Sequence, residues 1–447
     1  MSGSRVALNE DLPSPRPGAL DRALRVFSEV RAGEGGTVVL MFFNLLSLLL
    51  GYYVIKTLRD TVIVARLGAE VKAYSSAAMA LVLMGFVPVY GAVASRVERV
   101  KLIFALMLFF IVTLEMFVLG FAAAVPYVEV AFFIWVGIFN LTTVAQFWSL
   151  ANDVYRKEAG ERLFPIIAIG ATLGSPLGSL LTGRLFGAGV SEVRILQAPA
   201  ALLLVQLALY VWINKRESRR PEQAVRAREP LAAGGGFGLV LSSDYLRLLA
   251  LLMVLLNVVN TNGNFILDSS LESAAAAAGA GKKAALGVAY GNFYLYQNIL
   301  GVLIQALLVS RIVKRFGLAG VLLGLPLVAF GAYGLIAAGA GLVAIRWAKT
   351  AENAADYSVM NTGRQMVWLP TRREEKYKAK QAVDTFFVRA GDALSGLLVF
   401  ILSAHLGLRA RGFAVLNLAV VLVWIALVVL LVRRYRALSA GPDTGPA

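Results

Sequence analysis

The chain has no cysteine, which excludes disulfides, thiolate metal sites and a cysteine nucleophile. Its single histidine, His405, has no second imidazole with which to build a metal or catalytic cluster. No Gly-x-x-x-x-Gly-Lys-Ser/Thr loop is present to cradle a nucleotide for hydrolysis, and no metal-ligand spacing occurs. Charge is scarce as well. Asp, Glu, Lys and Arg make up 16% of 447 residues against 58% hydrophobic ones, and the mean hydropathy is +0.72. A soluble globular chain does not reach these values. The expectation is an all-α, polytopic membrane protein that is not an enzyme and needs no cofactor or metal. Residues 1–36 are polar and the first apolar run is a full span, so no cleavable signal peptide is expected.

What is present is a series of apolar runs, each near the ~20 residues a crossing needs. They fall at 38–60, 73–94, 102–123, 126–150, 163–184, 195–213, 245–267, 285–310, 317–340, 341–363, 381–404 and 410–432, which predicts twelve spans. The net charge of +16 could suggest nucleic acid, but its placement points elsewhere. Of 43 Lys and Arg residues, 30 fall in one set of ends and loops and eight in the opposite set: Arg66, Lys72, Arg184, Arg194, Lys282, Lys283, Arg409 and Arg411. This is the positive-inside pattern of a bacterial-type inner membrane, with both termini cytoplasmic. The partners it implies are a lipid bilayer and a small solute, with no nucleic acid.

The chain reads as a polar N-terminal segment (1–36), a six-helix half (37–213), a linker (214–243), a second six-helix half (244–432) and a tail (433–447). The linker is rich in Arg, Glu and Pro and carries Gly234-Gly235-Gly236, a flexible composition. The halves repeat. Ser95-Arg-Val-Glu-Arg99 returns as Ser310-Arg-Ile-Val-Lys314, and Gly174-Ser-Pro-Leu-Gly-Ser179 aligns with Gly391-Asp-Ala-Leu-Ser-Gly396, at offsets of 215 and 217. Six plus six spans around a basic central loop is the major facilitator layout, in which two halves rock about a midplane site. There Arg96, Arg99, Arg311 and Lys314 read as gating elements, or equally as topology determinants.

Charges inside the spans need a reason, because each is costly in a bilayer. The run Gly51-Tyr-Tyr-Val-Ile-Lys-Thr-Leu-Arg-Asp-Thr-Val-Ile-Val64 places Lys56, Arg59 and Asp60 within about one turn, able to pair and to line a polar cavity or to snorkel from a helix end. In the tenth span Arg346, Lys349, Asn353 and Asp356 share a face and offer either a phosphate site or an ion-pair ladder with Glu352. Arg389 and Asp392 are three apart and can satisfy each other. Glu115, alone in the third span, reads first as the counter-ion of a basic residue on another helix and otherwise as a proton-linked site; Asp268 is a second candidate for coupling or charge pairing. Asn140, Gln146, Asn152, Asn257, Asn260, Thr261 and Asn264 suit a hydrated cavity, and Trp148, Tyr52 or Tyr53 could stack on a base. Gly170, Gly174 and Gly178 recur every four residues and read as a close helix contact.

Three motifs carry a resemblance: Tyr52-Tyr-Val-Ile-Lys-Thr-Leu-Arg-Asp60; Phe147-Trp-Ser-Leu-Ala-Asn-Asp153 with Arg162-Leu-Phe-Pro165; and Glu374-Glu-Lys-Tyr-Lys-Ala-Lys380 with Asp384 and Arg389-Ala-Gly-Asp392. Together they resemble the ATP/ADP translocase family of nucleotide transporters and its bacterial relatives, over roughly residues 38–432. The resemblance implies exchange of a nucleoside triphosphate for a diphosphate, without hydrolysis, by membrane-embedded charges. Arg59 and Asp392 stand where translocases proper tend to have Lys, and Asn260, Asn262 and Asn264 where they tend to carry a Glu. The reading is therefore a secondary transporter of anionic, phosphorylated solutes, with nucleotide exchange of the ATP/ADP type as first candidate. Lys56, Arg59, Asp60, Asn152, Asn260, Asn264, Arg346, Lys349, Asn353 and Arg389 are the candidate ligands. A proton-coupled facilitator using Glu115, Asp60 or Asp268, and a non-transporting scaffold or lipid-handling protein, are the alternatives. The split of loop charge predicts that a reporter active only outside the cytoplasm stays silent when fused after Pro230; activity there would overturn the topology.

Overall fold

A helix of 60 residues, α2 (Gly35–Ala94), opens the bundle in the computed structural model. At ~1.5 Å per residue it would run about 90 Å, some three times the hydrocarbon thickness of a bilayer. The backbone breaks it at Gly68, whose φ of 90° and ψ of 169° are not helical and suit only a residue without Cβ. The chain thus turns back on a single glycine. The same device recurs where α10 (Ser310–Ala337) breaks at Gly317, with φ 58° and ψ −149°.

The structure describes residues 18–26, 28–155, 157–217, 236–372 and 374–439, with the side chains of Arg99, Lys157, Ala280 and Tyr377 excepted. Most of the 214–243 linker, the start of the N-terminal segment and the end of the tail lie outside the described residues. A short α1 (Ala19–Leu24) precedes α2, which is followed by α3 (Arg99–Ala122), α4 (Val128–Val154), α5 (Lys157–Gly187) and α6 (Glu192–Glu217). Then come α7 (Gly236–Ser242), α8 (Asp244–Ala276) and α9 (Lys282–Ile304), which passes through a π-helical stretch (Gln305–Val309) into α10. The remainder is α11 (Leu342–Ala355), α12 (Asn361–Met366), α13 (Lys380–Ala382), α14 (Val388–Val399) and α15 (Ala410–Ser439). Further π turns at Asp356–Met360, Glu375–Ala379, Val383–Phe387 and Phe400–His405 join α11 to α12 and carry the chain through α13 and α14.

Among the described residues nine continuous helices are long and apolar enough to cross a membrane. Two of these contain the glycine breaks. The helical stretch from 342 to 366 escapes that measure because it carries Arg346, Lys349, Glu352 and Asp356. The connections at 61–72 and 311–316, expected as loops, are helical instead, because one glycine suffices for each reversal. Lys72 is consequently not a loop residue: it is 8% exposed, inside the bundle.

Two large apolar clusters divide along the chain. One draws on residues from Val30 to Ile213; the other draws mainly on residues from Val240 to Val432 and reaches across to Tyr53, Ile63, Ala73 and Phe133. Arg162, at the start of α5, pairs with Glu34 at 2.9 Å and ties α5 to the foot of α2. Along that contact a Cβ on Gly170 would lie 2.5 Å from the Phe42 carbonyl oxygen, and one on Gly174 would lie 2.6 Å from that of Leu46. The four-residue glycine repeat is thus a backbone-to-backbone contact. Between the halves, α5 meets α9 where Gly183 faces Gly291, and α14 meets α2 where Gly396 faces Ala73 and Ala77. Gly174→Val should push α5 off α2 and cost about 1–3 kcal/mol of stability; an unchanged melting temperature in detergent would show that the contact is loose.

Candidate functional site

The charged run on α2 and its neighbours converges on a cleft of about 260 Å³ between the halves. Before Gly68, α2 supplies Tyr52, Lys56, Arg59 and Asp60; after it, Lys72, Ser76 and Met79. Helix α4 adds Phe133 and Asn140, and α8 adds Asn260, Thr261, Asn264 and Asp268, one face of that helix. Tyr294, Asn353, Tyr357, Arg389 and Asp392 complete the wall from α9, α11, the following π turn and α14. Both halves contribute.

Charge pairing organises the cleft. The Arg59 guanidinium donates to Asp60 at 2.8 Å and lies over the Phe133 ring at 4.0 Å. Lys72 reaches Asp268 at 2.8 Å and Asp60 at 3.6 Å, so a chain of alternating charge crosses from the first half to the second. Tyr290 donates to Asp268 at 2.7 Å, and Tyr294 donates to Asp60. Arg389 pairs with Asp392 at 3.2 Å, and Thr261 donates to the same carboxylate at 2.9 Å. Lys56 differs from these. Among the described residues it has no carboxylate within ion-pair distance; its ammonium sits over the Tyr294 ring at 4.4 Å and the Tyr53 ring at 5.2 Å. A cation over two aromatic faces is held but not neutralised.

Several sequence expectations move. Lys349 lies outside the cleft: it is 2% exposed, donates to the Asn260 side-chain oxygen at 2.7 Å and pairs with Glu352 at 3.2 Å, while Tyr333 donates to Glu352. That is the internal ladder, because a lysine so deep must be neutralised on the spot. Arg346 does not line the cleft either, and Asp356 pairs with Arg364 at 3.0 Å. Asn353 does reach the cleft and donates to Gln297 at 2.9 Å. Asn152 is exposed and away from it. Glu115 accepts from Gln197 at 3.3 Å, an amide rather than the expected cation. Trp148 packs on Phe147 and Phe164 within the first half, leaving Tyr52 as the aromatic of that group in the wall. Arg96, Arg311 and Lys314 are exposed; the Arg99 side chain lies outside the described residues. Lys72, Tyr294 and Tyr357 were not expected in the cleft.

Ion pairs and hydrogen bonds joining the halves gather at the end of the cleft near Gly68. Arg66 pairs with Glu129 at 2.7 Å and with Glu192 at 2.8 Å, and Lys283 from the second half pairs with Glu192 at 2.5 Å. Glu272 accepts from the Ala69 amide at 2.9 Å and pairs with Lys282 at 3.3 Å, while Ser403 donates to Glu70. That end is closed.

A family model for the TLC ATP/ADP transporter matches residues 339–435. The chain is similar to the TLC ATP/ADP transporters. It is 22% identical over 343 residues to ADP,ATP carrier protein 1 of Chlamydia trachomatis, covering 66% of this chain and 63% of that protein. It is likewise 22% identical over 342 residues to the carrier of the same name from Chlamydia pneumoniae, covering 66% and 64%. The chain thus spans a little under two thirds of these relatives. Among solved structures, the nucleoside transporter NupG aligns with a TM-score of 0.63 at 15% identity over 90% of this chain and 99% of its own. An inward-facing bacterial homologue of the iron transporter ferroportin gives 0.66 at 13% identity over 89% and 98%. At these identities the likeness establishes the fold alone, an all-helical, major facilitator-like bundle.

The lack of native cysteine makes the closed end testable. Removing one partner of a charged hydrogen bond costs about 1.5–3 kcal/mol, so Glu192→Gln should shift the bundle toward opening near Gly68. A reporter cysteine, Ser76→Cys, should then react about tenfold faster with an impermeant thiol reagent applied from the face opposite the N-terminus. Unchanged labelling would show that the Arg66–Glu192–Lys283 cluster does not hold the closure.

Proposed function

We propose that the protein is a secondary transporter that exchanges anionic phosphorylated solutes, nucleotides foremost, by alternating access between its two halves. The observation that carries this is Lys56, a cation in a cleft between the halves with no carboxylate partner among the described residues. An ammonium held in that state is a site for an incoming anion, since phosphate oxygens can supply the missing counter-charge. Asn260, Asn264 and Asn140 offer amides for the rest of the solute, and Tyr52 and Tyr357 offer ring faces. Similarity to ADP,ATP carriers supports the same class.

In this reading the solute enters from the cytoplasmic face, with both termini on that side of the inner membrane. Asp60 and Asp268 act as charge partners across the halves, because both are engaged by Lys72; a proton-driven cycle would want one of them free.

In proteoliposomes preloaded with nucleotide, Lys56→Gln should lower counterflow by about tenfold to a hundredfold, the equivalent of one charged hydrogen bond of about 1.5–3 kcal/mol. Lys349→Gln should instead lower thermal stability, because it leaves Glu352 buried without its cation. Wild-type counterflow in Lys56→Gln would remove the proposed role of this lysine.

A further inference from the structure

The charge balance of the cleft limits what it can hold. Among the described residues four cations line it, and three of them are already neutralised: Arg59 by Asp60 at 2.8 Å, Lys72 by Asp268 at 2.8 Å and Arg389 by Asp392 at 3.2 Å. Lys56 remains, a surplus of one positive charge. The next cation outward, Lys349, is committed to Glu352 and to the Asn260 oxygens.

We propose that the transported solute carries one phosphate group: a phosphomonoester rather than a nucleoside di- or triphosphate. The inference rests on the reading of this cleft as an anion-transport site. A single phosphate bears about −1.5 to −2 at neutral pH, which Lys56 and neutral donors such as the Asn264 amide can offset. Each further phosphoryl group adds about one more negative charge. To meet it, the cleft would have to strip a cation from its carboxylate. Taking Arg389 from Asp392, for instance, leaves a buried carboxylate facing the polyanion, and an uncompensated buried charge is strongly unfavourable. The pairs are also fixed by other donors: Thr261 holds Asp392, Tyr290 holds Asp268 and Tyr294 holds Asp60. None is poised to swing away. The organic part has its own wall, since the Tyr357 ring is 55% exposed and lines the cleft together with Tyr52.

The test is counterflow with the wild-type protein in proteoliposomes preloaded with a nucleoside monophosphate. It is challenged from outside with the mono-, di- and triphosphate of the same base, with a hexose phosphate and with inorganic phosphate. The monophosphate should exchange at least about tenfold faster than the triphosphate, the cost of roughly one unmatched charge interaction. Equal or faster exchange of the di- or triphosphate would overturn this inference while leaving phosphorylated-solute exchange standing. No exchange of any phosphorylated compound would overturn both, and exchange of inorganic phosphate alone would overturn the phosphomonoester assignment. A second arm uses Asp392→Asn, which keeps an oxygen to accept from Thr261 but releases Arg389. The ratio of diphosphate to monophosphate exchange should rise about tenfold, a change that lowered stability alone would not produce. An unchanged ratio would show that the pairing of Arg389 does not set the charge the cleft accepts.

Discussion

An ionised side chain taken out of water loses several kcal/mol of solvation that only a close counter-charge and hydrogen bonds return. Almost everything in the centre of this bundle follows from that constraint. Arg59, Lys72, Arg389 and Lys349 each have a carboxylate within 3.2 Å. Hydroxyls of Tyr294, Tyr333 and Thr261 reach the second carboxylate oxygen of Asp60, Glu352 and Asp392, and Tyr290 donates to the Asp268 oxygen that Lys72 also engages. Pairing demands proximity, and proximity fixes which helices adjoin. The Lys72–Asp268 pair sets the second arm of α2 against α8.

Glycine supplies the complementary freedom. At Gly68 the chain reverses with a conformation other residues rarely adopt, which brings Lys72 back beside Asp60 twelve residues after leaving it. A longer loop would separate the two arms and weaken that geometry. Where α5 lies on α2, the missing Cβ atoms at Gly170 and Gly174 let backbones touch. That contact lies within the first half, so it seats α5 closely on α2.

The class of the fold was legible because hydropathy and loop charge are local properties of the chain. The same holds for Lys56, Arg59 and Asp60, conspicuous as charge in an apolar run. Lys72 was hidden because the span ending at residue 60 was followed by what looked like a loop. The apolar Val62-Ile63-Val64 that carries the helix on to Gly68 was the available signal. Lys349 looked like a ligand since its spacing from Asn353 is helical. Its capture by Asn260 depends on a helix some ninety positions earlier, which no spacing rule can see. Arg346 and Lys349, three residues apart, were treated as one face. Yet a step of three on a helix leaves about 60° between side chains, and that angle separates the buried ladder from the partly exposed side of α11.

The same constraint couples the site to its closure. Asp60 is shared by Arg59, by Lys72 and by the hydroxyl of Tyr294, whose ring also lies under Lys56. An anion arriving at Lys56 therefore changes the field felt by Asp60, and through Lys72 that of Asp268 in the other half. The pairs themselves stay in place, so the bound anion acts on the charge chain across the halves through its field and not by taking a partner from it. Coupling of this kind is reciprocal: whatever free energy the bound anion contributes to opening, opening contributes to retention of the anion. Arg59 and Lys72 lie on opposite sides of the Gly68 reversal and share Asp60, so that field spans the break in α2 without any pair coming apart.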